Sequence, residues 1–361
     1  PSAVGATAQG IPVLGDSSVV DGADAVAVPG LVEGSTFRTN LGVANLGDSD
    51  LGVSAEFLAP DGTPLGSLAI AVPAHEVVQR NRVLRHLDGA VPEAASVVLR
   101  ADDPDARYAA WASVVDNRTN DPSFRLAMAA SGDELVVPAV ADVRGATGEH
   151  WRTSMDIFNP GDRSARVSVR PLPGSRYSGN TSRVELSIPM GSTVSVANVM
   201  AELFDATGSA ALLMDVLEGE VVASSRTWQG DDGSVGQGIP ATTMPDDLQS
   251  GDRLVVAGLH ESDDRRTNLG MVNLEPFAVR VRLKLWSSVG DEGPVQTITL
   301  PPESLTQRNA VLADWSEPRP ATGWAEIEIL DQPARVLAWS SVVDRGTSDP
   351  TYHQAQVIPA E

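Results

Sequence analysis

The sequence predicts an all-β protein: three tandem antiparallel β-sandwich repeats of about 114 residues, each with at most a short helix. Three observations carry this expectation. The segment Thr39-Asn40-Leu41-Gly42-Val43-Ala44-Asn45-Leu46-Gly47 returns as Thr267-Asn268-Leu269-Gly270-Met271-Val272-Asn273-Leu274, with a worn copy at Arg152-Thr153-Ser154-Met155-Asp156-Ile157-Phe158-Asn159-Pro160-Gly161. The arginines that open the three copies, Arg38, Arg152 and Arg266, stand 114 residues apart each time. Between these landmarks run short apolar segments of period two, punctuated by Gly, Pro and Asp, while a period of 3.6 never persists.

A unit of this length is large enough to bury a core of its own. The repeat divides the chain into an N-terminal arm, 1–23, and units 24–131, 132–245 and 246–361. A hydrophobic content of 42% with 20% charged residues is that of a globular chain and argues against disorder. Acidic residues number 48 against 26 basic ones, a net charge of −22, and Lys284 is the only lysine. Nucleic acid and anionic membranes both require a basic footprint, so neither is expected as a partner. No cysteine is present, so stability must come from packing alone. No segment approaches the roughly 18 apolar residues that span a bilayer, so direct membrane insertion is not expected. The chain opens at Pro1 without a basic and then apolar leader, which reads as a processed end. An exported protein, extracellular or at the cell surface, is the resulting expectation.

Along the chain, Gln9-Gly10-Ile11-Pro12 is the first apolar motif of the arm. It recurs two periods later as Gln237-Gly238-Ile239-Pro240, and more loosely as Gln356-Val357-Ile358-Pro359. After the first unit, Ser123 to Met128 holds its place. Ala25-Val26-Ala27-Val28 predicts a strand ending at Pro29, followed by a strand from Phe37 to Asn45. Val53, Ala55 and Phe57 alternate with Ser54 and Glu56, as on a half-buried strand. Asp61-Gly62 is a hairpin signal, because glycine accepts positive φ without a Cβ clash. Leu68, Ile70 and Val72 form the returning strand, which Pro73 ends. In the third unit Val279, Val281, Leu283 and Leu285 interleave with Arg280, Arg282 and Lys284, predicting one face on a core and the other in water. Asn81, Asn198 and Asn309 each precede a short apolar pattern and are expected to cap one or two helical turns. Two more strands close the unit: Ala95 to Leu99 matches Ala325 to Ile329, and Trp111 to Asp116 matches Trp339 to Asp344.

The order Asn45-Leu46-Gly47-Asp48, alternating strand, Pro60-Asp61-Gly62 turn, Val72-Pro73, Asn81, Ala95-Ser96-Val97-Val98 and Ala112-Ser113-Val114-Val115-Asp116 resembles the β-sandwich of the sensory rhodopsin transducer family. It is also similar to tandem modules of bacterial secreted and surface proteins. The resemblance covers all three units and implies a β-sandwich with an accessory or surface role, its sites at sandwich ends and edges. It carries no catalytic motif and transfers no single residue. Those transducers are single-domain oligomers, whereas these units are covalently joined, so photosensory function does not follow.

Candidate chemistry is sparse. His75, His86, His150, His260 and His353 do not recur between units and show no zinc-ligand spacing. His75-Glu76 lacks the second histidine of a zincin, and Gly15-Asp16-Ser17-Ser18 lacks the strand-to-helix context of a nucleophile turn. The loops Asp116 to Pro122 and Asp344 to Pro350 hold carboxylates and amides suited to Ca²⁺, but both contain an arginine. Unit two replaces the pattern with Gln229-Gly230-Asp231-Asp232-Gly233, and turn-forming acids are the favoured reading. Trp111 and Trp339 fall in apolar strands and are expected to pack in cores. The Asn at 45, 159 and 273 is expected to satisfy a turn, and the recurrent arginines to bridge strands or a junction between units. No catalytic residue, cofactor or metal is assigned.

Three cores against four Gln-Gly-Ile-Pro-like strands leave one strand surplus. Gln9, Gly10, Ile11 and Pro12 form the candidate assembly strand, and Gln356, Val357, Ile358 and Pro359 the candidate closing or acceptor strand. Addition of such a strand to the edge of a neighbouring molecule does not close on itself and builds a filament. The expected function is therefore a non-enzymatic extracellular structural or interaction protein, partnered by itself or by other surface proteins. The alternative is a module binding glycan or another small ligand.

Overall fold

Alternating side chains set the strands, and the recurrence sets their order. The structure, a computed structural model, describes residues 19–145, 148–230, 235–243, 247–316, 319–331 and 333–360. In the first unit, β1 is Val20–Asp21, β2 Val26–Val32, β3 Phe37–Asn45, β4 Leu51–Leu58, β5 Pro64–Val72 and β6 Val77–Arg80. It continues with β7 Ala94–Ala101, β8 Arg107–Asp116, β9 Pro122–Leu126 and β10 Met128–Ala129. In the second, β11 is Leu135–Arg144, β12 His150–Phe158, β13 Ala165–Pro173, β14 Val184–Ile188, β15 Thr193–Val196 and α1 Val199–Phe204. After the helix come β16 Gly208–Glu218, β17 Val222–Gln229, β18 Val235–Pro240 and β19 Thr242–Thr243. The third holds β20 Arg253–His260, β21 Arg265–Asn273, β22 Val279–Ser287, β23 Glu292–Leu300, β24 Ser304–Arg308 and β25 Thr322–Ile329. It ends with β26 Val336–Asp344, β27 Pro350–Gln354 and β28 Gln356–Ile358.

The fold is all-β, and every strand pair is antiparallel. One sheet of unit one runs β10-β2-β7-β4-β5 and the other β1-β8-β3-β6, with β9 on β8. Unit three repeats this as β28-β20-β25-β22-β23 and β24-β21-β26-β27. In unit two the two halves join edge to edge through β11 and β12, giving one nine-stranded sheet folded over its core. The inward residues of the two layers make each core: Leu31, Leu41, Phe57, Ile70, Leu99 and Tyr108 in unit one, and Leu254, Val256, Leu283, Ile327 and Ile329 in unit three. Each fully buried large apolar side chain contributes roughly 1.5–3 kcal/mol.

The recurrent asparagine explains itself once placed. Asn45 and Asn273 end β3 and β21, Asn159 directly follows β12, and all three are buried. Asn273 Nδ2 donates to the carbonyls of Phe277 (2.8 Å), Leu300 (3.3 Å) and Pro301 (2.8 Å), and its Oδ1 accepts from Glu275 N at 2.9 Å. Asn45 donates to Ser49, Val72 and Pro73, and Asn159 to Arg163, Ile188 and Pro189. One amide thus ties the end of a strand to the turn after it and to the far end of the neighbouring hairpin. Aspartate has no N–H to give these carbonyls.

Three expectations are corrected. The strand before Pro29 does not stop there: β2 continues through a bulge between Val28 and Leu31, matched by bulges at Val137/Val140 and Val256/Leu259. Proline is tolerated because a bulge frees its missing donor from the ladder, and Gly30 and Gly258 take positive φ there. Of the three predicted caps only Asn198 caps a helix, its side chain accepting from Ala201 N. In the other units a tighter 3-10 turn forms at Val83–His86 and Val311–Asp314. It follows left-handed Arg82 and Ala310, while Asn81 and Asn309 accept instead from Gln79 and Gln307. Lastly, Gln356-Val357-Ile358-Pro359 is not the counterpart of Gln237-Gly238-Ile239-Pro240. The latter is β18, paired to β17, whereas Gln356 to Ile358 is β28, paired to β20 in the opposite sheet. The chain changes sheet at Ala127, Ala241 and Ala355, one period apart. The residues equivalent to β18 are therefore those of β27.

Asn273→Ala takes the partner from the buried Leu300 carbonyl, the part-buried carbonyls of Phe277 and Pro301 and the buried Glu275 N–H. It is expected to lower stability by about 2–4 kcal/mol in urea unfolding, while Asn268→Ala, on the same strand but half-buried, costs less.

Candidate functional site

Two outward surfaces recur on every unit, and both break the polar alternation expected of a solvated sheet. The first, the asparagine face, is a row across three strands: Val77, Ala44 and Ala109 in unit one, Thr193, Phe158 and Val222 in unit two, Leu305, Val272 and Leu337 in unit three. The second, the bulge face, lies beside each β-bulge. Its cross-strand pairs are Ala27/Val98 and Leu58/Ser96, then Val136/Leu213 and Leu172/Ala211, then Val255/Glu326 and Trp286/Trp324.

Inside the chain the two surfaces meet. Ala27 and Val98 of unit one bury themselves against Phe158 and Val222 of unit two, with Leu58, Met128 and Ala130 at the margin. The core of unit two, which includes Val136, Leu172, Ala211 and Leu213, runs without a break into Val272, Leu274, Leu305, Leu337 and Trp339 of unit three. Trp339 is thus buried against its neighbour and not in its own sandwich, contrary to the sequence expectation.

Each contact is locked by polar groups aimed at the bulge, where an outward carbonyl is left off the ladder. Trp339 Nε1 donates to Pro138 O at 3.1 Å. At the other junction Arg125 Nη1 bonds Pro29 O (2.8 Å), Asp156 Oδ2 (2.9 Å) and Ser224 Oγ (3.0 Å). The substitution pattern is coherent. Trp111 and Trp339 lie opposite Gly42 and Gly270, where a Cβ would strike the indole; Trp111 stacks on Phe124, and Trp339 meets Tyr352 at a tilt of 32°. Unit two replaces the glycine–tryptophan pair with Asp156/Ser224, making room for the Arg125 guanidinium. Further bonds join Ser96 Oγ to Thr193 Oγ1 (2.7 Å), Thr193 N to Pro60 O (2.9 Å) and Arg170 to Glu303 (2.6 Å).

All three units converge on one buried charge cluster. Asp121 Oδ2 accepts from Gly236 N at 2.9 Å and lies 3.8 Å from Arg226 Nη2, while Arg226 Nε donates to Ser123 Oγ at 2.7 Å. Burial pushes the Asp121 carboxyl up to about 6, against the pull of Gly236 and Arg226, and its side chain hydrogen-bonds Asp349 of unit three. Burial also draws Arg226 down to about 10, which leaves it charged at neutral pH.

At the two ends of the array parts of the same surfaces stay exposed among the described residues. Leu46 is 44% exposed and Val77 60% in unit one, whereas their counterparts two periods on, Leu274 and Leu305, are 5% and 3% exposed. On unit three a groove of about 560 Å³ opens over the bulge, lined by Val255, Ala257, Gly258, His260, Thr322 and Trp324. Trp324 stacks on Trp286 at 5.5 Å and 8°, and Lys284 caps the Trp286 ring at 4.0 Å.

The candidate assembly strand, Gln9 to Pro12, lies outside the described residues, as does Gly15 to Ser18. Gln356, Val357 and Ile358 form an edge strand, and Gln356 falls in the row of Val255 and Glu326. In the acidic loops Asp116 Oδ1 accepts from Arg118 N and Thr119 N, and Asp344 Oδ1 from Gly346 N and Thr347 N, so these carboxylates hold their own turns. Arg38 bonds Asn117 and Asn120 and Arg266 bonds Asn268, each within its own unit, and Arg266 is also drawn to the carboxylate of Glu149 in unit two.

No family model matches the chain, and no curated protein matches it. Among solved structures it is similar to dimeric latent PorU from Porphyromonas gingivalis at 8% identity and a TM-score of 0.18, over 94% of this chain and 30% of that one. A GH78 family rhamnosidase of Bacillus sp. GL1 is similar at 8% identity and a TM-score of 0.16, over 93% of this chain and 55% of that one. At such scores neither likeness carries an argument about fold or activity.

Because burial raises the Asp121 carboxyl above its unfolded value, its contribution is complete below the unfolded pKa and is lost as pH rises through about 6. The stability of wild type relative to Asp121→Asn is therefore expected to fall between about pH 4 and pH 7 in urea unfolding.

Proposed function

We propose that this protein is a non-enzymatic structural or interaction protein, acting outside the cell or at its surface as a rigid array that holds its two ends at fixed separation. The observation that carries this reading is the continuity of apolar packing from the core of unit two into unit three, locked by the Trp339–Pro138 bond. Beads on a string have polar, mobile joints. Here Arg125, Ser96 and Arg170 each reach across a joint to a partner in the next unit. An acidic surface without a basic footprint suits protein or glycan partners better than nucleic acid.

The paired indoles of Trp286 and Trp324 favour one second reading, a glycan-binding module in which a sugar ring stacks on the outer face of Trp324. Microcalorimetry with neutral and acidic oligosaccharides separates the two: the structural reading expects no binding, and micromolar binding abolished by Trp324→Ala would overturn it.

The rigid array itself is tested by calorimetry and small-angle scattering. Wild type is expected to melt in one transition, and Trp339→Ala to split off unit three and enlarge the radius of gyration. Separate melting of the units in wild type would sink the rigid-array reading.

A further inference from the structure

Resting on that structural reading, we propose that the bulge face of unit three is a docking site for the asparagine face of unit one in a second copy of this chain, so that copies join head to tail. The argument is continuity. The same contact, bulge face against the next asparagine face, is made twice within the chain and leaves one half of it at each end. The free half on unit one keeps apolar residues where solvent alone would call for polar ones: Leu46 and Val77 stand where unit three buries Leu274 and Leu305. The free half on unit three keeps Val255 and adds the Trp286/Trp324 pair, flanking a groove over the open bulge at Ala257 and Gly258.

Volumes are matched with their order reversed. At the first junction small residues on the bulge face, Ala27 and Ser96, receive the large Phe158. At the open ends the large residues, Trp286 and Trp324, are on the bulge face, and the asparagine face offers the exposed Leu46 and Val77 beside the half-buried Ala44, while Ala109 is already buried. Charge follows suit. Arg170, in the row of Leu213, pairs with Glu303 of the next unit. One period on, the equivalent of Arg170 is Lys284, and two periods back from Glu303 stands His75, paired with the solvent-exposed Asp48 at 2.9 Å. Docking in the same register brings Lys284, which pairs with Glu292 at 2.9 Å in its own unit, to a corner of the next copy where Asp48 and Glu76 flank His75. Because the two faces differ, the contact is heterologous and propagates.

The test uses the full chain in sedimentation velocity and negative-stain microscopy across a concentration series. Wild type is expected to form linear oligomers. Leu46→Arg and Trp324→Glu are each expected to raise the concentration at which they appear by at least about tenfold, the scale of losing an anchor residue. Leu217→Arg, an exposed leucine on neither face, is expected to change nothing, and unaltered melting of all three variants shows that folding is intact. Mixing the Leu46→Arg and Trp324→Glu proteins leaves one good face on each and is expected to yield a dimer and nothing longer. Carbodiimide treatment of mixed ¹⁴N and ¹⁵N protein is expected to link Lys284 to Asp48 or Glu76 between copies. A wild type that stays monomeric at millimolar concentration, or oligomers indifferent to both variants, overturns the docking. If that monomer still melts as one body, the rigid-array reading survives alone.

Discussion

A single constraint governs the architecture: each first strand carries a β-bulge whose outward carbonyl has no partner in its own sheet. A buried carbonyl left unsatisfied costs about 1–3 kcal/mol, so covering this face requires a donor, from the covering unit or from the other sheet of its own. Trp339 of unit three brings an indole N–H to Pro138 of unit two, whereas Pro29 accepts from Arg125 of its own unit, whose guanidinium also bonds Asp156 and Ser224 of unit two. The apolar rows around the bulge then make burial favourable, and the donor fixes the register. A sandwich with a polar outer face would need neither, and its tandem copies would swing on their linkers.

Among the described residues only unit two has both faces covered by neighbouring units, and its residues differ accordingly. It lacks the tryptophan of its sisters, carrying Ser224 opposite Asp156, and it has Gly238 where they carry Phe124 and Tyr352. A Cβ on Gly238 would sit 2.1 Å from Phe124 O, so the closing strands of units one and two approach as nearly as backbones allow. The Asp121–Arg226–Asp349 cluster lies where the closing strands of the three units come together. Removing one charge there leaves the others buried and uncompensated, which makes the cluster a specifier of arrangement more than a source of stability.

Much of this was legible in the sequence, for identifiable reasons. The period, the sandwich and the turn-forming role of Asn45, Asn159 and Asn273 follow from local chemistry that repeats with the chain. The register of the closing strand did not follow, because Gln356-Val357-Ile358-Pro359 mimics Gln237-Gly238-Ile239-Pro240 while sitting beyond the bend at Ala355. Caps at Asn81 and Asn309 were overridden by left-handed residues immediately after them, a backbone choice that side-chain patterns do not encode. The unit-to-unit faces were visible only as faults in alternation: Leu46 with Leu274, and Val77 with Leu305, are apolar at positions the period-two rule assigns to water. Recurrence of such a fault two periods apart is the signal that would have marked the interface.

The two internal contacts and the open ends must also differ in strength. Within the chain the partner face is tethered, so its effective concentration is in the millimolar range and the contact is permanent. Between copies the same face bears the full loss of translational and rotational freedom, about 4–15 kcal/mol. The polarity of the rows runs with this difference. Ala27/Val98 and Val136/Leu213 are wholly apolar, whereas the terminal row places Glu326 beside Val255 and lets Arg253 reach it at 3.7 Å. An exposed face of the internal kind would collapse onto any apolar surface, and Glu326 prevents that. The paired indoles supply back a large buried area with little entropy to lose, since each tryptophan already leans on the other. A face built this way does not collapse onto apolar surfaces at large, and it favours the one surface whose exposed Leu46 and Val77 and nearby carboxylates fit it.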